Sequence, residues 1–324
     1  MIFLAYILLT LVIVAIVRVS RRKRTAALRV TVTGTGIAAA RRFARAIMLR
    51  NVGALAVAGA VLGLLNLVNH AHPGWYGLPL MLAPGLAAVA GLLVFALTPT
   101  RLVSTGASRR SANLLPRRPW SYGPAWGFLL PLIAAAAVIA FAVIAGFSSS
   151  SQPDGSYRSI TVGPGTSGPY PGWFYGLPVI GLTVLLAAAT LFALGRIASS
   201  ARSESSESSE SFSELDRIVR VLATRVVMQL SSGALFLYFG GVLLFAGWAT
   251  TNAATVFAPG GGGVLSNVQP AAFIGLCEVA VGLLVALLGG VLVVLSLFDA
   301  IRQPMGRVVG TGSDKADVAS ARPA

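Results

Sequence analysis

Acidic residues are scarce in this sequence and absent from its first half. The 324 residues include 10 Asp and Glu against 25 Lys and Arg, and the first acid in the chain is Asp154. The first half therefore offers no carboxylate chemistry and no carboxylate ligands for Mg²⁺. The chain has a single cysteine, Cys277, within an apolar run. One thiol excludes both a disulfide framework and a thiolate metal cluster.

Charge of either sign is rare. Only 11% of the residues are charged and 56% are hydrophobic, whereas a soluble domain carries roughly a quarter charged residues. Several apolar runs reach about 18 residues or more, the length of a transmembrane helix. The sequence therefore predicts a helical integral membrane protein, and its composition resembles that of bacterial membrane proteins.

The apolar runs predict an all-α, polytopic transmembrane helical bundle of about seven helices, or six if the first does not insert. The helices are expected near residues 2–17, 52–69, 78–97, 126–147, 176–194, 230–248 and 272–297. Together they form a single membrane domain over residues 1–310. Residues 199–213, rich in Ser and Glu, predict a flexible cytoplasmic linker, and residues 311–324 a disordered tail.

The basic residues are distributed asymmetrically between the predicted loops. Of the 25 Lys and Arg, 24 fall on one side of the predicted bundle and only Arg158 on the other. The positive-inside rule places the basic side in the cytoplasm, with the N-terminus outside and the C-terminus inside a plasma membrane. We therefore expect the net charge of +15 to favour contact with anionic lipid headgroups. We expect no nucleic-acid binding.

Two motifs occur twice. Pro73–Pro79, PGWYGLP, returns as Pro171–Pro178, PGWFYGLP, each at the outer start of a returning helix. On the basic side, Arg42, Arg45 and Arg50 have the spacing of Arg217, Arg220 and Arg225. The repeats predict helical hairpins 2–3, 4–5 and 6–7 in one orientation. Parallel repeats occur in transporters, and they also arise from duplication without transport.

The last apolar run carries a small-residue seam and an acid. Gly275, Gly282, Ala286 and Gly289 fall close to one line on a helix, since each residue turns about 100°. In lipid such seams mark close contact between helices. Glu278 lies on the flank of the seam, so we expect it to face protein. It is the candidate intramembrane functional acid, or a structural clamp between two helices.

The other polar groups give only weak indications of a functional site. Asn69 and His70 are the outer-side neighbours at the depth closest to Glu278, and His70-x-His72 lacks the further ligands of a metal site, so we predict no metal. Gly34, Gly36 and Ala39 match a dinucleotide fingerprint, but neither a partner strand nor a following acid is expected. We therefore predict no cofactor and no catalytic constellation.

Two functions follow as hypotheses. The first is an accessory or scaffold membrane subunit, not an enzyme, that acts through a membrane protein partner or as a homo-oligomer. The second is a small secondary transporter or channel-like protein that uses Glu278 for proton or cation coupling. A broken helix, weakly indicated by Pro79 and Pro84, and a polar cavity at Glu278 would favour the second.

Overall fold

Seven α-helices dominate the structure, a computed structural model that describes residues 9–17, 30–32, 36–98, 119–199, 209–257, 264–302 and 308–310. In chain order they are α1 (9–17), α2 (Gly36–Ala71), α3 (Leu78–Leu97), α4 (Ala125–Phe147), α5 (Trp173–Ser199), α6 (Ser209–Ala254) and α7 (Ala271–Arg302). Within the described ranges, α2 to α7 are the six helices long and apolar enough to cross a membrane.

The spanning helices are continuous despite internal prolines. The helix α3 runs from Leu78 to Leu97 through Pro84, and Pro79 occupies its first turn, where a missing N–H leaves no hydrogen bond unmade. Pro131 lies inside α4, as Pro84 lies inside α3. The break that Pro79 and Pro84 indicated in the sequence is therefore not found. Neighbouring helices make such prolines tolerable in a membrane.

Short strands join the helices at one end of the bundle, which we call the strand end. They are β2 (Ser150–Ser151), β3 (Tyr157–Val162) and β4 (Gly165–Ser167) between α4 and α5, and β5 (Thr255–Phe257) and β6 (Val264–Asn267) between α6 and α7. Both sets are antiparallel. The all-α prediction missed them because strands of two to six residues in Gly-, Ser- and Pro-rich loops have almost no periodicity to detect.

A parallel strand pair lies at the opposite end, which we call the arginine end. Strand β1 (Val30–Val32) pairs with β7 (Val308–Gly310), Val30 opposite Val308. The expectation that β1 has no partner strand is therefore wrong, because the partner comes from the far end of the chain. Residues 33–35, which contain Gly34 of the dinucleotide fingerprint, lie outside the described residues.

The helices α3, α5 and α6 form the centre of the bundle. Between 44% and 61% of their apolar windows is buried, against 11% for α2, 22% for α4 and 28% for α7. The shared core includes Leu92 of α3, Leu186 of α5 and Tyr238 of α6. Helix α1 packs through Val14 on α7.

Three predicted segments fall partly or wholly outside the described residues: 2–8 of the first helix, 200–208 of the Ser/Glu linker, and the tail 311–324. The ends of the linker are helical, since α5 continues to Ser199 and α6 begins at Ser209.

Candidate functional site

Glycines on α6 and α7 bring the two helix backbones into direct contact. A Cβ atom added at Gly240 would lie 2.6 Å from the backbone nitrogen of Ala286 and 2.7 Å from the carbonyl oxygen of Gly282. Gly233 meets Gly289 in the same way nearer the arginine end, and Gly247 meets Gly275 nearer the strand end. The small-residue seam of α7 thus faces a matching seam on α6 with a seven-residue repeat. Contact this close is available because α6 carries no side chain at these three positions.

Glu278 lies on this interface and faces α6. Its Cβ would be 2.9 Å from a Cβ added at Gly247, and the Thr250 hydroxyl is a hydrogen-bond partner of the carboxylate. Its Oε2 atom is buried and has no hydrogen-bond partner among the described residues. Glu278 is the seventh residue after Ala271, the first residue of α7, which places it about 10 Å along the helix from the strand end.

One residue of the strand end, Tyr170, lies near Glu278. Tyr170, in the segment between β4 and α5, is 5% exposed and packs against Ala145, Ile160, Ala246, Ala249 and Ala253. It is hydrogen-bonded to Ser148, and it is close enough to Glu278 to be influenced by its charge. Burial, and secondly the negative charge of Glu278, raise the pKa of Tyr170 to about 12. The phenol therefore stays neutral near the acid.

The two Pro-Gly-aromatic motifs meet at the strand end. The Tyr175 hydroxyl donates a hydrogen bond to the carbonyl oxygen of Tyr76 at 2.7 Å, and the rings of Tyr76 and Phe174 make an edge contact with centroids 6.4 Å apart. Tyr76 has φ of 49°, a left-handed conformation that costs a non-glycine residue roughly 1–2 kcal/mol. The hydrogen bond from the second motif therefore holds the turn of the first.

Arg158, the single basic residue predicted outside, belongs to the same region. Its guanidinium lies 3.5 Å from the centroid of the Tyr76 ring and 2.7 Å from Asp154 Oδ2. The Asp154 carboxyl accepts hydrogen bonds from the side chain and backbone of Ser156, and these, followed by Arg158, lower its pKa. These contacts tie β3 to the turn before α3.

Asn69, His70 and His72 lie at the strand end of α2. His70 Nδ1 is 2.8 Å from the carbonyl oxygen of Asn66, and His72 stacks on Trp75 with ring centroids 5.1 Å apart. Asn69 Oδ1 is buried without a hydrogen-bond partner in the described part of the chain. The contacts found for His70 and His72 are local to α2 and the turn after it, while Glu278 contacts α6 and lies near Tyr170. The described ranges contain no group of three or more potential metal ligands.

Polar side chains also cross between α5 and α6. Thr183 Oγ1 lies 2.7 Å from the Tyr238 hydroxyl, and Thr190 Oγ1 lies 2.7 Å from Ser231 Oγ. Each threonine also donates to the carbonyl four residues earlier on its own helix. These pairs fix the rotation of α5 against α6. Hydrogen bonds of this kind contribute about 0.6 kcal/mol each in membranes.

The arginine end holds a second polar cluster, which sequence analysis did not identify as a site. Arg225 Nε lies 3.3 Å from Asp299 Oδ2, and the Arg50 guanidinium lies 4.0 Å from the centroid of the Phe95 ring. Asn51 Nδ2 donates to the carbonyl oxygen of Ala300 at 2.9 Å. The repeated arginines gave a signal, but Asp299 lies beyond the last predicted helix, 272–297, because the apolar run ends at Leu297. The helix α7 continues to Arg302 and brings Asp299 into the bundle.

Helix α2 presents an open face. Ala56, Gly59, Ala60 and Gly63 are all exposed, and a Cβ atom added at Gly59 or Gly63 would meet nothing within 4 Å. These four residues, with the exposed Asn66 one turn further, lie on one side of the helix because they recur at steps of one, three and four. We call this surface the α2 face.

Comparison of the chain with known protein families, with curated proteins and with solved structures finds no match. The class of the protein is therefore defined by its own structure. Within the described ranges it is a mostly helical, membrane-embedded protein with six apolar helices, of which α2, α4 and α7 pack around α3, α5 and α6.

Proposed function

We propose that the protein is an accessory or scaffold subunit of the plasma membrane that binds a membrane protein partner, or a second copy of itself, through the α2 face. The observation that carries this proposal is the contrast between two sets of glycines. Gly233, Gly240 and Gly247 of α6 pack against the backbone of α7, while a Cβ atom added at Gly59 or Gly63 of α2 would meet nothing within 4 Å.

The physical argument concerns what lipid does to helices. Lipid tails are as apolar as leucine, so helices associate through close packing of small residues and through hydrogen bonds. The α2 face has both elements, four small residues and the exposed amide of Asn66. An amide at this depth gains from a partner that can donate or accept a hydrogen bond. Only 11% of the apolar window of α2 is buried, which leaves most of this helix available for contact with a partner.

The orientation belongs to the proposal. The arginine end faces the cytoplasm and its anionic lipid headgroups, because the sequence predicts 24 of the 25 basic residues on that side. The strand end, with Arg158, faces outward, and the hairpins α2–α3, α4–α5 and α6–α7 share one direction. The C-terminus is then inside and the N-terminus outside.

Substitution on the α2 face tests the proposal. Gly59→Leu with Gly63→Leu would cover the face with two branched side chains. Gly181→Leu in α5 is the matched control, since a Cβ atom there also meets nothing within 4 Å. Complexes would be extracted from native membranes into nanodiscs and weighed by native mass spectrometry. We expect the double variant to shift to the monomer mass and Gly181→Leu to keep the complex. Equal masses for both variants and the wild type would reject the proposal.

Glu278 supports a second candidate function, a transporter or channel-like protein coupled to protons or cations. The specific observation is the buried Oε2 atom without a hydrogen-bond partner in the described ranges, since intramembrane acids mark ion pathways. Wild type and Glu278→Gln would be reconstituted in liposomes with a pH-sensitive dye under ion gradients. Flux in the wild type that is lost in Glu278→Gln would favour transport. No flux in either protein would favour the scaffold.

A further inference from the structure

Two small adjoining cavities lie at the arginine end, between α2, α3, α6 and α7. The lower cavity has a volume of about 30 Å³ and the upper one about 20 Å³. The polar residues that line the lower cavity are Arg50, Asn51 and Asp299, and the rest of its lining is apolar. Asn51 lines both cavities. Since one water molecule requires roughly 10–15 Å³ of such space, the lower cavity has room for water and not for an organic ligand.

Asn51 carries a buried acceptor that faces this space. Its side chain is 7% exposed, and its Nδ2 donates to the carbonyl oxygen of Ala300 at 2.9 Å, which sets the orientation of the amide. Its Oδ1 atom is buried without a hydrogen-bond partner among the described residues. A buried acceptor of this kind requires a donor. Because Asn51 lines both cavities, the donor is a molecule that occupies one of them.

Charge indicates that the donor is neutral. Asp299 is the one acid in the lining of the lower cavity, where Arg50 accompanies it, and Arg225 Nε lies 3.3 Å from its Oδ2 atom. With its carboxylate balanced by arginines, the cavity has no net attraction for a cation. An anion would lie against two acceptors, Asn51 Oδ1 and the Asp299 carboxylate, and would supply a donor to neither. Water has two donor hydrogens and the size that the cavity accepts.

We propose that the lower cavity is a binding site for an ordered water molecule that donates one hydrogen bond to Asn51 Oδ1 and the other to the Asp299 carboxylate. Asn51 then joins α2 to α7 twice, directly through the Ala300 carbonyl and through the water to Asp299. Because Arg225 of α6 contacts the same carboxylate, the hydrated site links α2, α6 and α7. None of these residues belongs to the α2 face, so the site does not depend on a protein partner.

Solid-state NMR of the full chain in lipid bilayers tests the site. The asparagines would be isotope-labelled, and the transfer of magnetisation from water to each side-chain amide would be measured. The Asn51 signal is identified by its loss in Asn51→Leu. Asn252, which is exposed at the strand end, provides the reference for an amide in contact with water. We expect Asn51 to receive magnetisation from water at mixing times comparable to those of Asn252, although its side chain is buried.

Ala223→Leu fills the lower cavity without altering any charge, because Ala223 is part of its lining. It should reduce the transfer to Asn51 severalfold, since the transfer falls steeply with distance, and leave that to Asn252 unchanged. Val221→Leu is the matched control, because Val221 is 37% exposed on the same helix and does not line the cavity.

Thermal unfolding in sodium, potassium and choline chloride forms a second arm, in which we expect equal Tm values. A Tm raised selectively by one of these cations would identify a cation site and overturn the proposal. Transfer to Asn51 that survives Ala223→Leu would overturn it as well. So would the absence of transfer to Asn51 in the wild type, a result that does not depend on whether any variant folds.

Discussion

One side of α6 has room for an added methyl group, and the side that faces α7 does not. Gly240 and Gly241 are neighbours in the chain, yet a Cβ atom at Gly240 would lie 2.6 Å from Ala286, while at Gly241 it would meet nothing within 4 Å. Gly240→Ala must push α7 away or strain both helices. Gly241→Ala places the same methyl group in open space. The pair therefore tests whether backbone contact between α6 and α7 stabilises the bundle.

The expected difference follows from two effects. Replacing glycine by alanine inside a helix stabilises it by roughly 0.8–1.0 kcal/mol, and this gain is common to both variants. Only Gly240→Ala adds an overpacking cost, typically about 1–3 kcal/mol. Because the propensity gain cancels, Gly240→Ala should be less stable than Gly241→Ala by about 1–3 kcal/mol. Gly241→Ala itself should equal or exceed the wild type.

The assay is unfolding in mixed micelles by titration with sodium dodecyl sulfate, followed by circular dichroism. The free energies of unfolding of the wild type and both variants would be compared under one set of conditions. Equal stability of the two variants would refute the argument, since it would mean that α6 and α7 do not touch at Gly240. A loss in Gly241→Ala alone would refute it as well.

Three further predictions use the same unfolding assay or its hydrogen-exchange counterpart. Tyr238→Phe should cost about 0.6 kcal/mol, because Thr183 keeps its bond to the Val179 carbonyl; a loss above about 2 kcal/mol would mean that the ring packing also changed. The single variant Arg225→Ala should destabilise the protein more than the double variant Arg225→Ala with Asp299→Ala. The reason is that the single change leaves a largely buried carboxylate without this arginine. Additive losses of stability in the double variant would contradict this. The lowered pKa of Asp154 means that its contribution to the strand end is present above the unfolded pKa of about 3.9 and is lost as the pH falls through the folded pKa. The protection factors of the amides at residues 150–162, which are exchange rates corrected for the intrinsic effect of pH, should therefore fall in acid, and Asp154→Asn should remove that fall.

The spanning helices could be predicted from sequence because a membrane helix can be recognised from its apolar composition alone. The run at 78–97 coincides with α3. The helices α2 and α6 extend well beyond their apolar runs, from Gly36 and from Ser209, because a helix that leaves the membrane keeps its backbone hydrogen bonds while its side chains become polar. Hydropathy marks the membrane boundary and not the end of the helix.

The seam on α7 was also visible in the sequence, since its spacing is a property of one helix. That the seam would face α6, and that Thr250 would meet Glu278, depends on how two helices cross, which no single-helix pattern contains. Tyr170 was missed for a stronger reason. It reaches Glu278 only because the segment after β4 folds back over α6, and those strands gave no periodic signal. Asp299 was missed because the prediction ended α7 where its apolar run ends.

The most direct test of the proposed function is a contact measurement on the α2 face in native membranes. A photoreactive amino acid at Ala60 would be compared with one at Leu191 of α5, a side chain 69% exposed and outside the proposed interface. The account predicts a discrete protein adduct of defined mass from position 60 and none from position 191. No adduct from position 60, or the same adducts from both positions, would contradict it.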